Sequence, residues 1–332
     1  MLVMQAWILD ESPGTSRWGE IGRPVVGEHE VAVEVRASGL NHMDHWLTQG
    51  RPRPPLPHIP GCDVAGVVAE VGSGVTGWTE GDEVVVNPAL SSPESIETLG
   101  IDSCIDRSLQ ILGEHCWGGH AEQVVVPARN LVRRPAGRSW VECAAYPVAT
   151  LTAHRMLRRA RLEAGQTVLI IGIGGGVATA TMALARKAGA EVFVTSRDPD
   201  KRAQALSGGA DGAFDSSEPE WDVVADVVID SVGPATWDQA IASLRRGGRL
   251  VTCGGTSGPE VTVSLPKLFF RQLELIGSSM GSYVEFDQVT ELMADGLEVM
   301  VDQAMGLDEY PDALERLRSG AQLGTIVLDH EL

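Results

Sequence analysis

The sequence predicts an α/β chain of two domains, one β-rich and one built on a doubly wound parallel sheet. Three observations carry this. The chain has 332 residues, more than one small core organises, so its length points to about two domains. Short runs with strand periodicity, separated by Gly and Pro turns, fill the first part. From Val141 onward, apolar β-branched runs alternate with helical segments, the pattern of a parallel sheet with covering helices.

In chain order, Val31, Val33 and Val35 alternate with small or polar partners in VAVEV. Further strands are expected at 64–71, 83–86 and 123–126, with the proline-rich run 51–61 as a loop. Many short punctuated strands imply a barrel or sandwich. The second part predicts a strand at 167–171, a helix from Val177, and strands at 192–195 and 227–230. A helix at 237–246 and strands at 249–253 and 273–276 follow. The tail from Glu285 reads as mainly acidic and helical, ending in a strand at 325–328. Domain boundaries are placed at 1–148, 149–280 and 281–332, the last segment completing the first domain.

Composition excludes several function classes. The formal charge of −19 would repel nucleic acid or an anionic membrane. No apolar run reaches the ~20 residues a bilayer span needs, and residues 1–18 show no export signal. A soluble, cytoplasmic protein with a small-molecule partner is expected. Cys62, Cys104, Cys116, Cys143 and Cys253 are scattered, with no C-x-x-C pair, so reduced thiols are expected.

The strongest chemical signal is TVLIIG followed by GIGGGVA (172–178). A strand ends there, a glycine turn opens a helix, and a second strand follows. Glycine permits positive φ and lets a pyrophosphate approach the backbone, while the helix N-terminus offers free N–H groups. Strict G-x-G-x-x-G spacing fails because Val177 stands at the third glycine position. The longer form Gly172-x-x-Gly175-x-x-Ala178 fits, with Gly174, Gly176 and Val177 lining the turn. The context implies a nicotinamide dinucleotide. The second strand ends Thr195-Ser196-Arg197-Asp198, with Lys201 after it. A hydroxyl, a guanidinium able to take phosphate bidentately and a mobile ammonium favour NADPH over NADH. Asp198 turned toward a ribose, with Arg197 merely solvated, is the opposing reading.

The motifs ASGLNHMDHW (37–46), IPGCDVAGVVAEVGSGVTGWTEGDEVV (59–85), GGHAEQVVVP (118–127), the glycine turn, DSVG (230–233), GGRLVTCGG (247–255) and GTIVL (324–328) follow in order. With them the chain resembles the medium-chain dehydrogenase/reductase superfamily over essentially its whole length. The resemblance implies a GroES-like catalytic domain interrupted by a Rossmann domain.

Zinc alcohol dehydrogenases of that superfamily carry Cys where this chain has Asn41, His-Glu where it has Cys62-Asp63, and Cys at about Val148. A catalytic zinc needs three strong converging ligands and an open position. Asn41 is a poor ligand and Val148 none, so no metal is expected. Cys62 and Asp63 with His42 or His45 is the alternative site, and a small buried Cys62 is the plain reading. The family's structural-zinc lobe falls after Leu90, where Ser92, Ser95 and Thr98 stand with only Cys104 near a ligand position.

These departures resemble the zinc-independent quinone oxidoreductase, zeta-crystallin-like branch. Its N-x-x-D pattern matches Asn41 and Asp44, implying that Asn41 lies near the nicotinamide ribose. The LTA run implies that Thr152 bonds the nicotinamide end, and Cys253, Gly254 and Ser278 complete the cofactor set. Without a Lewis acid an isolated carbonyl is hard to reduce, whereas a quinone or conjugated enone spreads the developing charge. The expected reaction is hydride transfer from NADPH to such an acceptor. Asn41 is its candidate catalytic residue, and the proton comes from water, His45 or His42. Competing readings are an alcohol dehydrogenase with a rearranged metal site and a non-catalytic NADPH-binding protein. The resemblance also implies a homodimer, with an edge strand near 261–265 pairing with its mate.

Overall fold

The structure is a computed structural model and describes residues 2–332. The chain forms two compact units. One comprises residues up to 148 with 281–296 and 300–332; the other comprises 149–280 with 297–299.

The elements run β1 (Val3–Ile8), β2 (Arg17–Gly22), β3 (Glu30–Gly39), α1 (His42–Thr48), β4 (Asp63–Val71), β5 (Glu83–Val86), β6 (Ala89–Leu90) and α2 (Pro93–Leu99). Then come β7 (Gln110–Ile111), β8 (Gln123–Pro127), β9 (Leu131–Arg133), α3 (Trp140–Ala145) and α4 (Pro147–Arg159). The second series is β10 (Thr167–Ile170), α5 (Gly176–Lys187), β11 (Glu191–Ser196), α6 (Pro199–Ser207), β12 (Gly212–Asp215) and β13 (Ala225–Asp230). It continues with α7 (Trp237–Ser243), β14 (Leu244–Thr252), α8 (Leu265–Arg271) and β15 (Glu274–Gly277). The tail carries α9 (Tyr283–Ala294), β16 (Val301–Gly306), α10 (Tyr310–Ser319) and β17 (Thr325–Asp329).

In the first unit β3 is the hub. It pairs antiparallel with β4 along its length, with β8 through 30–34, and with β17 through 37–39. Register shifts between β3 and β4 at Ala32/Val33 and Val35/Ala37 bend the sheet. Val31, Val33, Val35, Val64, Val68, Val84, Val124 and Val126 meet in one cluster. Each such side chain contributes about 1.5–3 kcal/mol on leaving water. The alternation in VAVEV therefore reports a core face, and the last strand of the chain completes the first sheet.

In the second unit the sheet order is β12-β11-β10-β13-β14-β15, parallel throughout. The order reverses beside β10, so β10 and β13 flank the switch point where doubly wound sheets open a crevice at their carboxyl ends. Apolar residues of the strands, with Trp221 and Trp237, form the core beneath it.

Three local expectations are corrected. The tail is not only helix and a final strand, since β16 lies parallel to β17. Its sequence VDQAMG is half-exposed at a sheet edge, so no apolar run announces it. Helix α7 stops at Ser243 rather than 246, because Leu244 already pairs with Ala225 of β13. The run 261–265 is no strand: it leads into α8, where Ser264 caps the helix by accepting from Lys267 N–H. The sheet edge on that side is β15.

The lobe after Leu90 is tied by hydrogen bonds. Ser92 caps α2 by accepting from Ser95 N–H, and Ser95 Oγ donates to Asp106 Oδ2 at 2.5 Å. Asp106 also accepts from the N–H and hydroxyl of Ser108 at 2.7 and 2.6 Å. These donors hold its carboxyl down at about 2. Cys104 is buried.

Candidate functional site

The second unit supplies a cradle at the end of β10. Gly172 sits at φ +75°, where an added Cβ would lie 2.6 Å from Val232 Cγ2. Only glycine fits. Its N–H donates to Thr195 Oγ1 at 3.0 Å, and Ile173 N–H donates to the Thr195 carbonyl at 2.7 Å. The turn is thereby tied to the adjacent strand. Gly175 is the N-cap of α5, and a Cβ built there meets nothing within 4 Å. Gly174 precedes it, while Gly176 and Val177 form the first helical turn. Open space over free helix N–H groups fits a pyrophosphate.

Ser196 ends β11 buried, and its Oγ accepts from Asp198 N–H at 3.1 Å. Asp198 caps α6, its Oδ1 accepting from the N–H groups of Asp200 and Lys201 at 2.8 and 3.3 Å. Turning that carboxylate to a ribose would forfeit the cap. Arg197 is exposed. Lys201 corrects its expected role: it lies in the first turn of α6 with 8% of its surface exposed, so it is packed rather than mobile. Arg202, the other cation after the second strand, donates to the Ser196 carbonyl and to Asp215 Oδ2 at 2.5 and 3.1 Å.

Beyond the turn, Asp230 shapes DSVG by accepting from the N–H groups of Val232 and Gly233. Burial raises its carboxyl pKa. Cys253 N–H donates to the Asp230 carbonyl at 3.2 Å, and burial pushes the Cys253 thiol up to about 12. Gly254 follows, its carbonyl accepting from Thr252 Oγ1 at 3.1 Å. Ser278 N–H donates to the Thr252 carbonyl at 2.8 Å. Thr152 is buried in α4.

The first unit gathers a polar cluster at the start of α1. Asp44, fully buried, accepts from Asn41 N–H at 2.7 Å and Gly61 N–H at 3.0 Å. Asp63, also fully buried, accepts from Asn41 Nδ2 at 2.9 Å and Val148 N–H at 2.7 Å. Burial drives the Asp63 carboxyl up to about 7, against the pull of those two donors. Burial likewise raises the neighbouring Cys62 thiol. Behind them His120 Nε2 stands 3.5 Å from Asp44 Oδ1. Its Nδ1 shares a 2.9 Å hydrogen bond with Ser38 Oγ, which lies 3.0 Å from His330 Nε2. These partners are 82 and 292 residues apart, so no sequence pattern could have joined them.

His45 Nε2 lies 3.0 Å from Gln49 Nε2, and its charged neighbours are Arg318 and Glu315 of α10. Burial lowers its pKa first, then Arg318. His42 lies beside Trp46, with ring centroids 6.1 Å apart, and burial lowers its pKa too.

The cluster does not fit zinc. Val148 offers an alkyl side chain, Asn41 spends its amide nitrogen on Asp63, and both Asp63 oxygens are engaged. Among the described residues no three His, Cys, Asp or Glu side chains are grouped to hold a metal ion. The glycine cradle does fit a dinucleotide. Among the described residues no helix is long and apolar enough to cross a membrane.

The chain is similar to known dehydrogenases and reductases. Residues 27–136 match the Alcohol dehydrogenase GroES-like domain family, and residues 176–295 match the Zinc-binding dehydrogenase family. The chloroplastic NADPH-dependent alkenal/one oxidoreductase of Arabidopsis thaliana is 30% identical over 77% of this chain and 64% of its own. A solved NAD-dependent alcohol dehydrogenase superposes with a TM-score of 0.93 at 34% identity, over 98% of this chain and 99% of its own. The 2-octenoyl-CoA carboxylase reductase CinF, solved with NADP and 2-octenoyl-CoA, gives 0.90 at 25% identity, over 98% and 87%.

Proposed function

This chain belongs to the medium-chain dehydrogenase/reductase superfamily, and we propose that it uses NADPH to reduce a quinone or conjugated enone without zinc. Its being an NAD(P)H-dependent oxidoreductase follows from the family. The observation that carries the finer reading is the Asp63 carboxylate, spent on Asn41 and Val148 where a zinc centre would need ligands.

The pyrophosphate rests on the N–H groups of Gly175, Gly176 and Val177 at the start of α5. Ser196 and Arg197 would take the 2′-phosphate, and Asn41 and Thr152 would orient the nicotinamide end. Cys253, its thiol neutral, adds a small wall beside Gly254 and Ser278. Bound there, NADPH supplies the hydride that adds to the β-carbon of an enone or to a quinone. Charge then spreads over the conjugated acceptor, so the protein has to orient it and keep it dry rather than neutralise an alkoxide. The proton arrives from water, His45 or His42. A conjugated acceptor also agrees with the alkenal/one oxidoreductase among the relatives.

NADPH oxidation against quinones, enones and aldehydes, with zinc measured on the same sample, tests the reading. Turnover of enones or quinones by zinc-free protein is the expected result. The likeness to an NAD-dependent alcohol dehydrogenase favours a second reading, alcohol oxidation at a rearranged metal site. Stoichiometric zinc with chelator-sensitive alcohol oxidation would establish that one instead. A homodimer belongs to the first reading, with β15 as the available sheet edge; sedimentation measures it.

A further inference from the structure

Asn41, Asp63 and Val148 come from three segments far apart in the chain, and one carboxylate joins them. Asp63 Oδ2 accepts from Asn41 Nδ2 at 2.9 Å, and Oδ1 accepts from Val148 N–H at 2.7 Å. Asp63 is fully buried at the first residue of β4. Asn41 is held twice, by different groups: Asp44 takes its backbone N–H, and Asp63 takes its side chain. An asparagine amide has two ends of nearly the same shape, and only its partners decide which faces where. In its ionised form the Asp63 carboxylate cannot donate, so it then accepts nothing but the NH2 end. The amide oxygen is thereby turned away from Asp63. The same three segments are those that the zinc dehydrogenases, by the resemblance above, tie together through metal.

We propose that Asp63 is the positioning residue of this site, its carboxylate replacing a metal as the tie between segments 41, 63 and 148 and fixing the direction of the Asn41 amide. This rests on Asn41 facing the cofactor or acceptor, as in the function proposed above. Asp63 itself touches no reacting atom. It acts by making the Asn41 oxygen a hydrogen-bond acceptor of set direction.

An exchange of the two side chains tests this. In Asp63→Asn, one amide oxygen cannot serve both donors. Kept on Val148 N–H, it turns an NH2 toward Asn41, whose amide must then flip. Affinity for NADPH, titrated by fluorescence without acceptor, and kcat/KM for an enone should each fall about tenfold. The double variant Asn41→Asp with Asp63→Asn restores a donor facing a carboxylate, and should return both to within about threefold of wild type. A purely structural loss would not be mended by a second substitution. The proposal is overturned if the folded single variant stays within about twofold of wild type, or if the exchange recovers nothing. Should the variants not fold, the Asn41 side-chain amide resonances of the unliganded wild-type protein decide. Slow solvent exchange is expected, and fast exchange overturns the clamp. Wild-type protein that oxidises NADPH with none of the enones or quinones offered would instead defeat the functional reading, while NADPH titration and the amide resonances would still judge the clamp.

Discussion

Two aspartates of the first unit, Asp63 and Asp106, each tie separate segments together, in opposite electrostatic settings. Asp63 is fully buried and takes two donors, and burial wins, raising its carboxyl to about 7. Asp106 is half-exposed and takes three, from Ser95 and Ser108, and the donors win, lowering it to about 2. In each case a carboxylate collects donors from separate segments of the chain. At Asp63 the cost of burial outweighs the pull of the donors, whereas at Asp106 burial costs little and the donors set the shift.

The largest expected break in this comparison is Asp63→Ala. It strands the Asn41 amide and the Val148 N–H in the interior, costing about 2–4 kcal/mol of stability by denaturant unfolding. Asp106→Ala should cost clearly less, because water can replace it; equal losses would refute the contrast.

Next comes pH. The folded pKa of Asp63 lies near 7, above the ordinary 3.8. The folded state therefore holds this proton more tightly, and stability from this group falls as pH rises between those values. Asp44, the other carboxylate near it, adds to the rise. Against Asp63→Asn, wild-type stability should decline across that window by something on the order of a few kcal/mol. Activity should move the other way, rising as the clamp ionises, so that site geometry is gained at a stability cost. Asp106 has the opposite sign: its folded pKa lies near 2, below 3.8. Its contribution is present above 3.8 and lost as pH falls toward 2, and Asp106→Asn should erase that acid-side loss.

A smaller effect is expected from Ser95→Ala, which removes one donor to Asp106. Tm should shift by about one or two degrees, with faster amide exchange confined to 93–105. The smallest expected effect is none at all: a chelator should leave both Tm and NADPH oxidation unchanged. Loss of either would mean that metal serves one of the two places after all.

Much of this was legible in the residues. The glycine run after TVLIIG announced the turn that Gly172 needs at φ +75°, because a strand, a turn and a helix are local and periodic. Asn41 and Val148 announced an unfit zinc site, because ligand chemistry belongs to residue type. Lys201 misled, since a lysine near a strand end reads as free charge until packing buries it. The run 261–265 has strand composition, yet the Ser264 cap turns it into a helix start. Strand β16 has no apolar run and exists because β17 lies beside it.

The sequence by itself determined the two-part α/β organisation, the dinucleotide turn and the poor zinc-ligand chemistry of Asn41 and Val148, all set by neighbours within one or two turns or by side-chain chemistry. Only the tertiary structure decided which segments Asp63 ties together. Asp63 meets Val148 across 85 residues and Asn41 across 22, and a carboxylate's role depends on which donors folding brings to it and how much water folding removes.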